Sequence, residues 1–570
     1  MHLSLNLNNL IKEKKYSEII HSIQKIPKNN INSSILNLLG TARLLNVKKN
    51  NQIKENYKEF SLALENFRAA FLKEKKTISA IKGLENFINT SIFLFEKTTL
   101  KSKNNKSEEF LKDALFYFEK NKHFLEQNLS LIKTVIKLYK KFSNAKKVKF
   151  YCELLINNNI KDIKIFSTYL LYNSYFKNWT QKDYFKESIN INNFLEKFPE
   201  SKLEPLSKNN NKKIRIGFFS ADLNRNHSVL HFVKTIFKNY DKKSFEVYVY
   251  FNHKKTEEGD VVKKVKNLID KFVHVFEFSD LEVINLIRSD KLDIFIDLMG
   301  ITSKTRLQLI KNRVSQIQIS WCGYCNTSGI KEMDYLISDK NLIYENEEKL
   351  YHEKILYMPN IWNCHERIDF KKKLKKEPKI KKNFIVFGSF NNFNKINEEV
   401  IFVWSNILKN CNNSKLILKS SSRIIPENII KKFDTYGVKD QIDIINWNLD
   451  YKKHLETYNK IDIALDTFPY NGVTTTFEAL WMGVPVITLK GENFNSRCGN
   501  SILKNIDLVD LVATDIKEYI STAVSLARDQ EYQLKLRNKI YNNLAKGHLF
   551  NEERFSFNFY EILKNLINYK

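Results

Sequence analysis

The chain has 570 residues. We expect several domains, because a single hydrophobic core stops growing at about 250 to 300 residues. Apolar residues make up 43% of the chain and aromatic residues 13%, which excludes a largely disordered protein. The net charge of +29 invites a nucleic-acid interpretation. The excess is mostly lysine, spread along Asn-, Ile- and Lys-rich stretches without an Arg-rich face, so we expect no nucleic-acid partner.

Membrane and disulfide classes are also disfavoured. No apolar run reaches the roughly 18 residues that a membrane-spanning helix needs, and the N-terminal MHLSLNLNNLIKEKK lacks the apolar core of a signal peptide. The six cysteines are too few and too scattered for a disulfide framework. We therefore expect a cytoplasmic protein with reduced thiols.

Residues 1–205 show helical periodicity, with apolar side chains recurring at intervals of three and four. The stretch KEFSLALENFRAAFLKEKK resembles one tetratricopeptide helix pair, with Ala63 and Ala69 where neighbouring helices approach closely. The pattern predicts an all-α, tetratricopeptide-like solenoid. Such an arm holds a protein or peptide partner on its concave face; alternatively, it only packs on the rest of the chain.

Two series of short strands alternating with helices follow. SKLEPLSKNNNKK, residues 201–213, reads as a linker, and the segments IRIGFFSADL, FEVYVYF, LDIFIDLMG and SQIQISWCGY are typical of strands. KKKLKKEPKIKK, residues 371–382, is a second linker, followed by NFIVFGSFN, KLILKS, IDIALDTFP and VPVITLKG. This alternation predicts two doubly wound α/β lobes, at 206–375 and 376–570, with a nucleotide-sized cleft outside the carboxyl ends of the strands.

The strongest local signal is DTFPYNGVTTTFEALWMGVPVIT, residues 466–488. An apolar strand ends in a loop, and Thr474, Thr475 and Thr476 then open an amphipathic helix. Backbone N–H groups and hydroxyls at a helix N-terminus suit a diphosphate. The alternative is an ordinary threonine N-cap.

Together with GENFNSRCGNSIL downstream, this motif resembles the nucleotide-binding loop and helix of the O-GlcNAc transferase and SPINDLY family. The resemblance implies that Thr474 and Thr475 contact the nucleotide diphosphate and that Glu478 binds the ribose. It also places Asn471 and Gly472 in the nucleotide-sugar site. Family members often carry His or a small polar residue at the position of Val473.

A second segment, FGSFNNFNKINEEVIFVWSNILKN, is similar to the family's Phe-Asn-x-x-x-Lys-Ile segment. It implies that Lys395 meets the leaving diphosphate, where a fixed cation stabilises the growing negative charge. Asn392, where relatives often have Gln, is a further diphosphate contact. His454 stands where the family has a base-stacking or nucleotide-contacting His, whereas Tyr451 and Thr457 replace a Lys and an Arg.

The loop SADLNRNHSVLHF carries the candidate general base. The family has an Asn-His pair here that faces the sugar and the acceptor hydroxyl, which implies His227 as the base or as a residue that positions the acceptor. His231 is the alternative, because the spacing from Asp222 is one residue longer than in some relatives. Imidazole suits proton transfer near neutral pH.

The segment Trp-Cys-Gly-Tyr-Cys, residues 321–325, resembles a thioredoxin motif, but an Asn-Thr-Ser-Gly turn follows it. Its surroundings, RLQLIKNRVSQIQISWCGYCNTSGIKEMDYLISD, instead match the transferase pattern along their length. The resemblance implies that Gly323 and Tyr324 belong to the nucleotide-sugar site. Cys325 stands where relatives usually have Pro, and we expect neither redox catalysis nor zinc.

The resemblance spans about residues 212–570. It implies a GT-B fold of two Rossmann-like lobes, the first on the acceptor side and the second binding the nucleotide sugar. The implied reaction is inverting transfer of a sugar, GlcNAc from UDP-GlcNAc, to Ser or Thr hydroxyls of proteins. Alternatives are GDP-fucose as donor, UDP-glucose with Asn as acceptor, and a non-catalytic repeat scaffold.

The same motifs bear on the need for a metal ion. No Asp-x-Asp motif follows a strand near the donor loop, and Lys395 with the helix N-terminus neutralises the diphosphate, so we expect no metal. The nucleotide sugar is then a co-substrate rather than a cofactor. The oligomeric state stays open and includes a homo-oligomer.

Overall fold

The computed structural model describes Leu10 and residues 13–49, 56–98, 106–223, 227–255, 259–368, 384–420, 424–446 and 450–568. The predicted linker at 371–382 lies outside these residues. The chain divides into two compact units, Met1–Asn159 and Ile160–Lys570. No helix in the described part combines the length and the apolar character needed to cross a membrane.

The first unit is helical wherever it is described, as the periodicity predicts. Consecutive helices pack on one another, and α2 also contacts α4, as α4 contacts α6, which is the neighbour-on-neighbour layering of helical repeats. The helices are α1 (Tyr16–Gln24), α2 (Ser33–Lys49), α3 (Tyr57–Lys73), α4 (Ile78–Lys97), α5 (Lys106–Leu125), α6 (Leu129–Lys141) and α7 (Ala145–Asn157).

Small residues let α3 and α4 approach closely, at a position one residue from the predicted one. A Cβ atom on Gly83 would lie 3.0 Å from Ala70 Cβ and 3.0 Å from Phe67 O. Ala63 is buried as expected, whereas Ala69 is exposed and Ala70 takes the contact. One residue turns a helical side chain by about 100°, so the difference moves it to another face.

The second unit begins with α8 (Ile163–Asn173) and α9 (Gln181–Ser188), followed by a seven-stranded parallel sheet of order β3-β2-β1-β4-β5-β6-β7. The order reverses between β1 and β4, so their carboxyl ends form the switch point of this lobe. Its elements are β1 (Ile214–Ser220), α10 (Ser228–Lys238), β2 (Phe245–Phe251), α11 (Asp260–Lys266), β3 (Lys271–His274), α12 (Asp280–Ser289), β4 (Ile294–Asp297), α13 (Leu307–Lys311), β5 (Ile317–Ser320), β6 (Tyr335–Ser338) and β7 (Lys354–Tyr357).

The second lobe has a six-stranded parallel sheet of order β10-β9-β8-β11-β12-β13, with its switch point between β8 and β11. Its elements are β8 (Ile385–Ser389), α14 (Glu398–Asn410), β9 (Ser414–Lys419), α15 (Glu427–Thr435), β10 (Ile442–Ile445), α16 (Tyr451–Glu456), β11 (Ile463–Leu465), α17 (Thr474–Trp481), β12 (Val486–Leu489), α18 (Cys498–Lys504), β13 (Val512–Ala513), α19 (Ile516–Arg528), α20 (Gln530–Lys546) and α21 (Glu552–Asn568). The two-lobed α/β prediction is confirmed.

Helix α21 connects the two lobes. Helix α21 packs against α10 of the first lobe. There Tyr560 Oη donates to Ile236 O at 3.1 Å, and Ser556 Oγ donates to Thr235 O at 3.1 Å. The chain therefore returns from the second lobe to complete the first.

Helices α8 and α9 belong to the second unit, although the predicted arm extended to residue 205. Gln181 Nε2 donates to Asn326 Oδ1 of the first lobe at 2.9 Å. Asn397 Nδ2 of the second lobe donates to Tyr175 O at 3.0 Å. Because this helical segment contacts both lobes, the boundary between the compact units falls after Asn159.

Candidate active site

The candidate site lies at the switch point of the second lobe, where ligands of doubly wound sheets bind. The loop after β8 carries Asn391 and Lys395, and the loop after β11 runs from Asp466 to Gly472. A cavity here is lined by Asn391, Asp466 and Thr475 together with strand residues of β8 and β11. Sequence positions about 75 residues apart thus meet at one edge of the sheet.

Lys395 is held against the loop that precedes α17. Its Nζ donates to Asn471 O at 2.7 Å and lies 4.3 Å from the centroid of the Tyr470 ring. Burial lowers the pKa of Lys395, and the nearby Asp466 carboxylate opposes that effect. A cation is therefore fixed beside the start of α17.

Helix α17 begins without a side-chain cap. Val473 occupies the N-cap position and makes no capping hydrogen bond, so the ordinary threonine N-cap is excluded here. Thr475 Oγ1 donates to Asn391 Oδ1 at 3.2 Å, and Thr476 Oγ1 donates to Gly472 O at 3.0 Å. A helix N-terminus with uncapped N–H groups attracts an anion.

Gly472 and Asn471 shape the loop from within. A Cβ atom on Gly472 would lie 2.3 Å from Thr475 Oγ1 and 2.8 Å from Asn391 Oδ1, so a larger residue does not fit. The Asn471 side chain is buried, donates to Thr467 O at 3.0 Å and accepts from Gly499 N at 3.3 Å. The backbone carbonyl of Asn471, rather than its amide side chain, is thus the group presented to Lys395.

One helical turn into α17, Glu478 forms a buried polar cluster. Its Oε2 lies 2.8 Å from His454 Nε2 and accepts from Tyr458 Oη at 3.0 Å. Burial raises the pKa of Glu478, but the hydrogen bond and charge of His454, together with His365 and His231, lower it by more, so the pKa is lowered overall. Lys419, the last residue of β9, contacts His454 Nδ1, and burial lowers the pKa of Lys419 to about 8.

The two candidate bases at the switch point of the first lobe differ in their surroundings. His227 precedes α10, its side chain is 46% exposed, and its Nε2 lies 3.8 Å from Asp222 Oδ1. Burial lowers the pKa of His227, with Asp222 opposing. His231 is buried, lies 2.9 Å from Glu366 Oε1 through Nδ1, and stacks on Tyr451. His227 is therefore the more accessible of the two imidazoles.

Of the other predicted site residues, Gly323 and Tyr324 are packed inside the protein and Asn392 is exposed. A Cβ atom on Gly323 would lie 1.8 Å from Leu298 O, so this glycine is needed for packing. Tyr324 is 3% exposed, and its hydroxyl donates to Tyr184 Oη on α9. Asn392 is exposed, and its Oδ1 accepts from the backbone N–H of Asn394 at 3.0 Å.

The two thiols of the cysteine motif have different environments. Cys322 and Cys325 are both free thiols. Burial raises the pKa of Cys322 well above its usual value, which disfavours the thiolate. The Cys325 side chain contacts Cys498 of the second lobe, and this hydrogen bond, with Lys395 nearby, lowers the pKa of Cys325 in spite of its burial. Within the residues that the structure describes, no group of three or more His, Cys, Asp and Glu residues could hold a metal ion.

The structure thus brings together Lys395 with the backbone of the Asn471–Gly472 loop, and Glu478 with His454. Gly323 and Tyr324 pack within the first lobe and against α9. Sequence reasoning missed four residues that support these groups. Three of them stand at or just after the carboxyl end of a strand, namely Asn391, Lys419 and Asp466, and the fourth, Tyr458, precedes β11.

Two doubly wound lobes, with a lysine and an uncapped helix N-terminus at one switch point, define a protein of the GT-B fold. The sequence matches the profile of glycosyl transferase family 41 over residues 188–383 and 373–559. The chain belongs to this family.

Similar proteins agree with this assignment. The chain is 30% identical to the probable UDP-N-acetylglucosamine–peptide N-acetylglucosaminyltransferase SPINDLY of Solanum lycopersicum over 382 residues, 65% of this chain and 41% of that one. It is 33% identical to the SPINDLY protein of Hordeum vulgare over 350 residues, 60% and 37% of the two chains. It is 28% identical to the SEC protein of Arabidopsis thaliana over 332 residues, 55% and 33% of the two chains. The matched part spans about two fifths of the length of the SPINDLY proteins.

A solved structure supports the fold over nearly the whole length. A lysine-to-methionine variant of the O-GlcNAc transferase of Thermobaculum terrenum superposes with a TM-score of 0.68 at 22% identity, covering 99% of this chain and 97% of that chain. A helical N-terminal part followed by a GT-B half is therefore an architecture that this chain shares with a solved protein.

Proposed function

We propose that this protein transfers GlcNAc from UDP-GlcNAc to Ser or Thr hydroxyls of protein acceptors, with inversion at the anomeric carbon. The observation that carries the proposal is Lys395, fixed 2.7 Å from Asn471 O beside the uncapped start of α17. Cleavage of the sugar–phosphate bond leaves negative charge on the departing diphosphate. A preorganised cation and helix N–H groups stabilise that charge more in the transition state than in the ground state.

Each remaining site residue has a role in this proposal. Thr474 and Thr475 bind the diphosphate with Lys395 and the exposed Asn392, while Gly472 gives the diphosphate room to approach the loop. Glu478 accepts hydrogen bonds from the ribose hydroxyls, and His454 contacts the base. The names of the SPINDLY and SEC relatives support UDP-GlcNAc as the donor and a peptide as the acceptor.

On the acceptor side, His227 removes the proton of the attacking hydroxyl. Its partial exposure and its carboxylate neighbour Asp222 at 3.8 Å suit a base that a substrate must reach. Gly323 and Tyr324 shape the loop that faces the donor sugar. The helical arm recruits the acceptor protein.

The proposal needs no metal ion, because Lys395 and the helix N-terminus supply the positive charge that a divalent cation would otherwise supply. Transfer measured after exhaustive treatment with EDTA should stay within about twofold of the untreated rate. A loss of more than tenfold that is restored by Mg²⁺ or Mn²⁺ would contradict this part of the mechanism.

A donor panel tests the proposal directly. The full chain is incubated with UDP-GlcNAc, UDP-glucose or GDP-fucose and a peptide library, and the products are sequenced by mass spectrometry, with Lys395→Met as the inactive control. We expect N-acetylhexosamine on Ser or Thr. Fucose on Ser or Thr, or hexose on Asn, would replace the donor or the acceptor.

If no sugar is transferred, nucleotide binding can still be measured by thermal unfolding. A ligand at about 100 times its dissociation constant adds about 2.7 kcal/mol of stability, which a melting curve detects. If no donor is consumed and none of the nucleotides raises the melting temperature, the protein is a repeat scaffold rather than an enzyme.

A further inference from the structure

One peptide group of the donor loop is held at both ends by opposite charges. The carbonyl of Asn471 accepts from Lys395 Nζ at 2.7 Å. The N–H of Gly472, on the other side of the same peptide bond, donates to Asp466 Oδ1 at 2.7 Å. The orientation of this peptide is therefore fixed between a cation and an anion.

The Asp466 carboxylate also accepts hydrogen bonds from other residues of the loop and its neighbours. It is 2% exposed, and its Oδ1 accepts from Thr467 N at 2.9 Å and from Asn391 Nδ2 at 3.3 Å. Its Oδ2 accepts from Thr488 Oγ1 on β12 at 2.8 Å. Asn391 in turn accepts from Thr475 Oγ1, so one carboxylate connects the helix start with the strand edge.

We propose that Asp466 is the positioning residue of the donor site: its carboxylate holds the Asn471–Gly472 peptide and keeps Lys395 protonated and aimed at the diphosphate. The inference rests on the proposed function and deepens it, because it assigns the ordering of the phosphate-binding groups to a residue that does not itself touch the donor. Asp466 acts through Lys395 and Gly472.

The charges at the site agree with this role. Burial raises the pKa of Asp466 to about 6, with the Gly472 N–H, Thr488 and Lys395 opposing, so the group is ionised at neutral pH. Besides Asp466, the titratable groups near Lys395 are Cys325 of the first lobe, Cys498 on α18 and the phenol of Tyr470, whose ring lies under the ammonium.

Further contacts fix the backbone of Asp466 itself. Tyr519 Oη on α19 donates to Asp466 O at 2.8 Å, and Asp466 N donates to Ile487 O at 3.0 Å. The residue is thus held from β12 and from α19, which leaves the carboxylate little freedom to move when a donor enters.

The test compares two isosteric substitutions at opposite ends of β11. Asp466→Asn removes the negative charge and keeps an oxygen for the Gly472 N–H. The matched control is Asp462→Asn, which removes a carboxylate that accepts from Val386 N at 2.9 Å before the strand begins. Both variants lose one charge next to the same strand, but only Asp466→Asn loses it beside Lys395.

The first measurement does not require that the protein transfer a sugar. The modification rate of Lys395 by acetic anhydride is followed across pH by peptide mass spectrometry in all three proteins. An opposite charge nearby shifts a pKa by on the order of one unit, so Asp466→Asn should lower the Lys395 midpoint by about one unit, a change of about tenfold in the fraction of free amine at a fixed pH. The midpoint should not change in Asp462→Asn, and an unchanged midpoint in Asp466→Asn would overturn the inference.

The second readout is the pH profile of sugar transfer. Asp466→Asn should lower kcat on the order of 10², the loss expected when reacting groups are misplaced, and should move the alkaline limb to lower pH. If wild type transfers no sugar while the Lys395 midpoint still shifts in the variant, the proposed function fails and the electrostatic coupling stands. If kcat falls but the midpoint and the alkaline limb do not move, Asp466 only supports the fold.

A milder variant covers the case in which Asp466→Asn does not fold. Thr488→Val removes one hydrogen bond to the ionised carboxylate and keeps the charge, which raises the pKa of Asp466. The acid limb of the transfer profile should then move to higher pH, while the alkaline limb stays in place. An unmoved acid limb would overturn the inference as well.

Discussion

Replacing Lys395 is the sharpest test of how the site works. Lys395→Met removes the ammonium group but keeps an unbranched apolar stem against the Tyr470 ring, which lies 4.3 Å from the Nζ. The substitution therefore removes charge with little change in packing. Lys415→Met is a matched control, since Lys415 is a partly exposed lysine of the same lobe that pairs with Asp443 at 3.2 Å.

The expected loss follows from the position of the ammonium. Two opposite charges about 4 Å apart interact by about 4 kcal/mol at an effective dielectric constant of about 20. Removing one preorganised donor to a developing negative charge typically costs about 2.7 to 4 kcal/mol, or about 10² to 10³ in rate. Lys395→Met should therefore lower kcat by about 10² to 10³, and Lys415→Met by less than about twofold.

The assay should separate binding from chemistry. Release of the nucleotide and transfer of the sugar are both followed at saturating donor, and donor binding is measured by calorimetry. A fall in kcat with a smaller change in donor affinity indicates an interaction made chiefly in the transition state. A loss of less than about fivefold in both reactions would refute the role of Lys395 as the stabiliser of the leaving group.

Three further predictions concern the first lobe and its contacts with the second. His227→Ala should lower kcat by about 10² to 10⁴ with a melting temperature within about 2 °C of wild type, since the side chain is partly exposed, whereas His231→Ala should chiefly lower thermal stability because His231 is buried and paired with Glu366. Burial raises the pKa of Glu366, but its hydrogen bond to His231 and the charges around it lower the pKa to about 2, so its stabilising effect is present above the unfolded pKa near 4.5 and is lost as pH falls through 2. Urea titrations should therefore show Glu366→Gln less stable than wild type by about 3 kcal/mol at pH 7, with the difference shrinking by about 2 kcal/mol at pH 3, and a difference independent of pH would contradict the pairing. Arg497→Met should cost about 3 kcal/mol of unfolding free energy, because Arg497 is nearly buried and makes a two-point contact with Glu347 of the first lobe, and equal urea midpoints would show that this ion pair does not stabilise the fold.

Much of the fold could be predicted because its signals are local. A switch from helical periodicity to short apolar strands separated by helices specifies parallel sheets, and the structure has two of them. The loop between β11 and α17 was predictable for the same reason, since the strand, the glycine and the helix start are contiguous in sequence. Lys395 was identified by its motif, and the structure places it against that loop.

The partners of these groups could not be predicted in the same way. Asp466 follows an apolar strand, but its meeting with Asn391, 75 positions away, depends on which strands become neighbours in the sheet. Lys419 reaches His454 for the same reason, because β9, which ends at Lys419, lies beside β10, and the helix that carries His454 follows β10. A sequence motif also does not show in which direction a side chain points. Tyr324 matches the family pattern, but its hydroxyl donates a hydrogen bond to Tyr184 on α9.

The boundary of the helical arm shows the limit most clearly. Helices α8 and α9 have the same apolar periodicity as the helices before them, so the sequence offers no mark at residue 159. What assigns them to the second unit is a set of long-range hydrogen bonds, such as Gln181 with Asn326 and Tyr175 with Asn397, whose partners lie 145 and 222 positions away. Since α9 also supplies Tyr184 to the loop that carries Tyr324, a protein truncated at the predicted boundary of 205 would lose part of the first lobe's support. A protein that begins at about residue 160 keeps these contacts, because both partners of each hydrogen bond lie after Asn159.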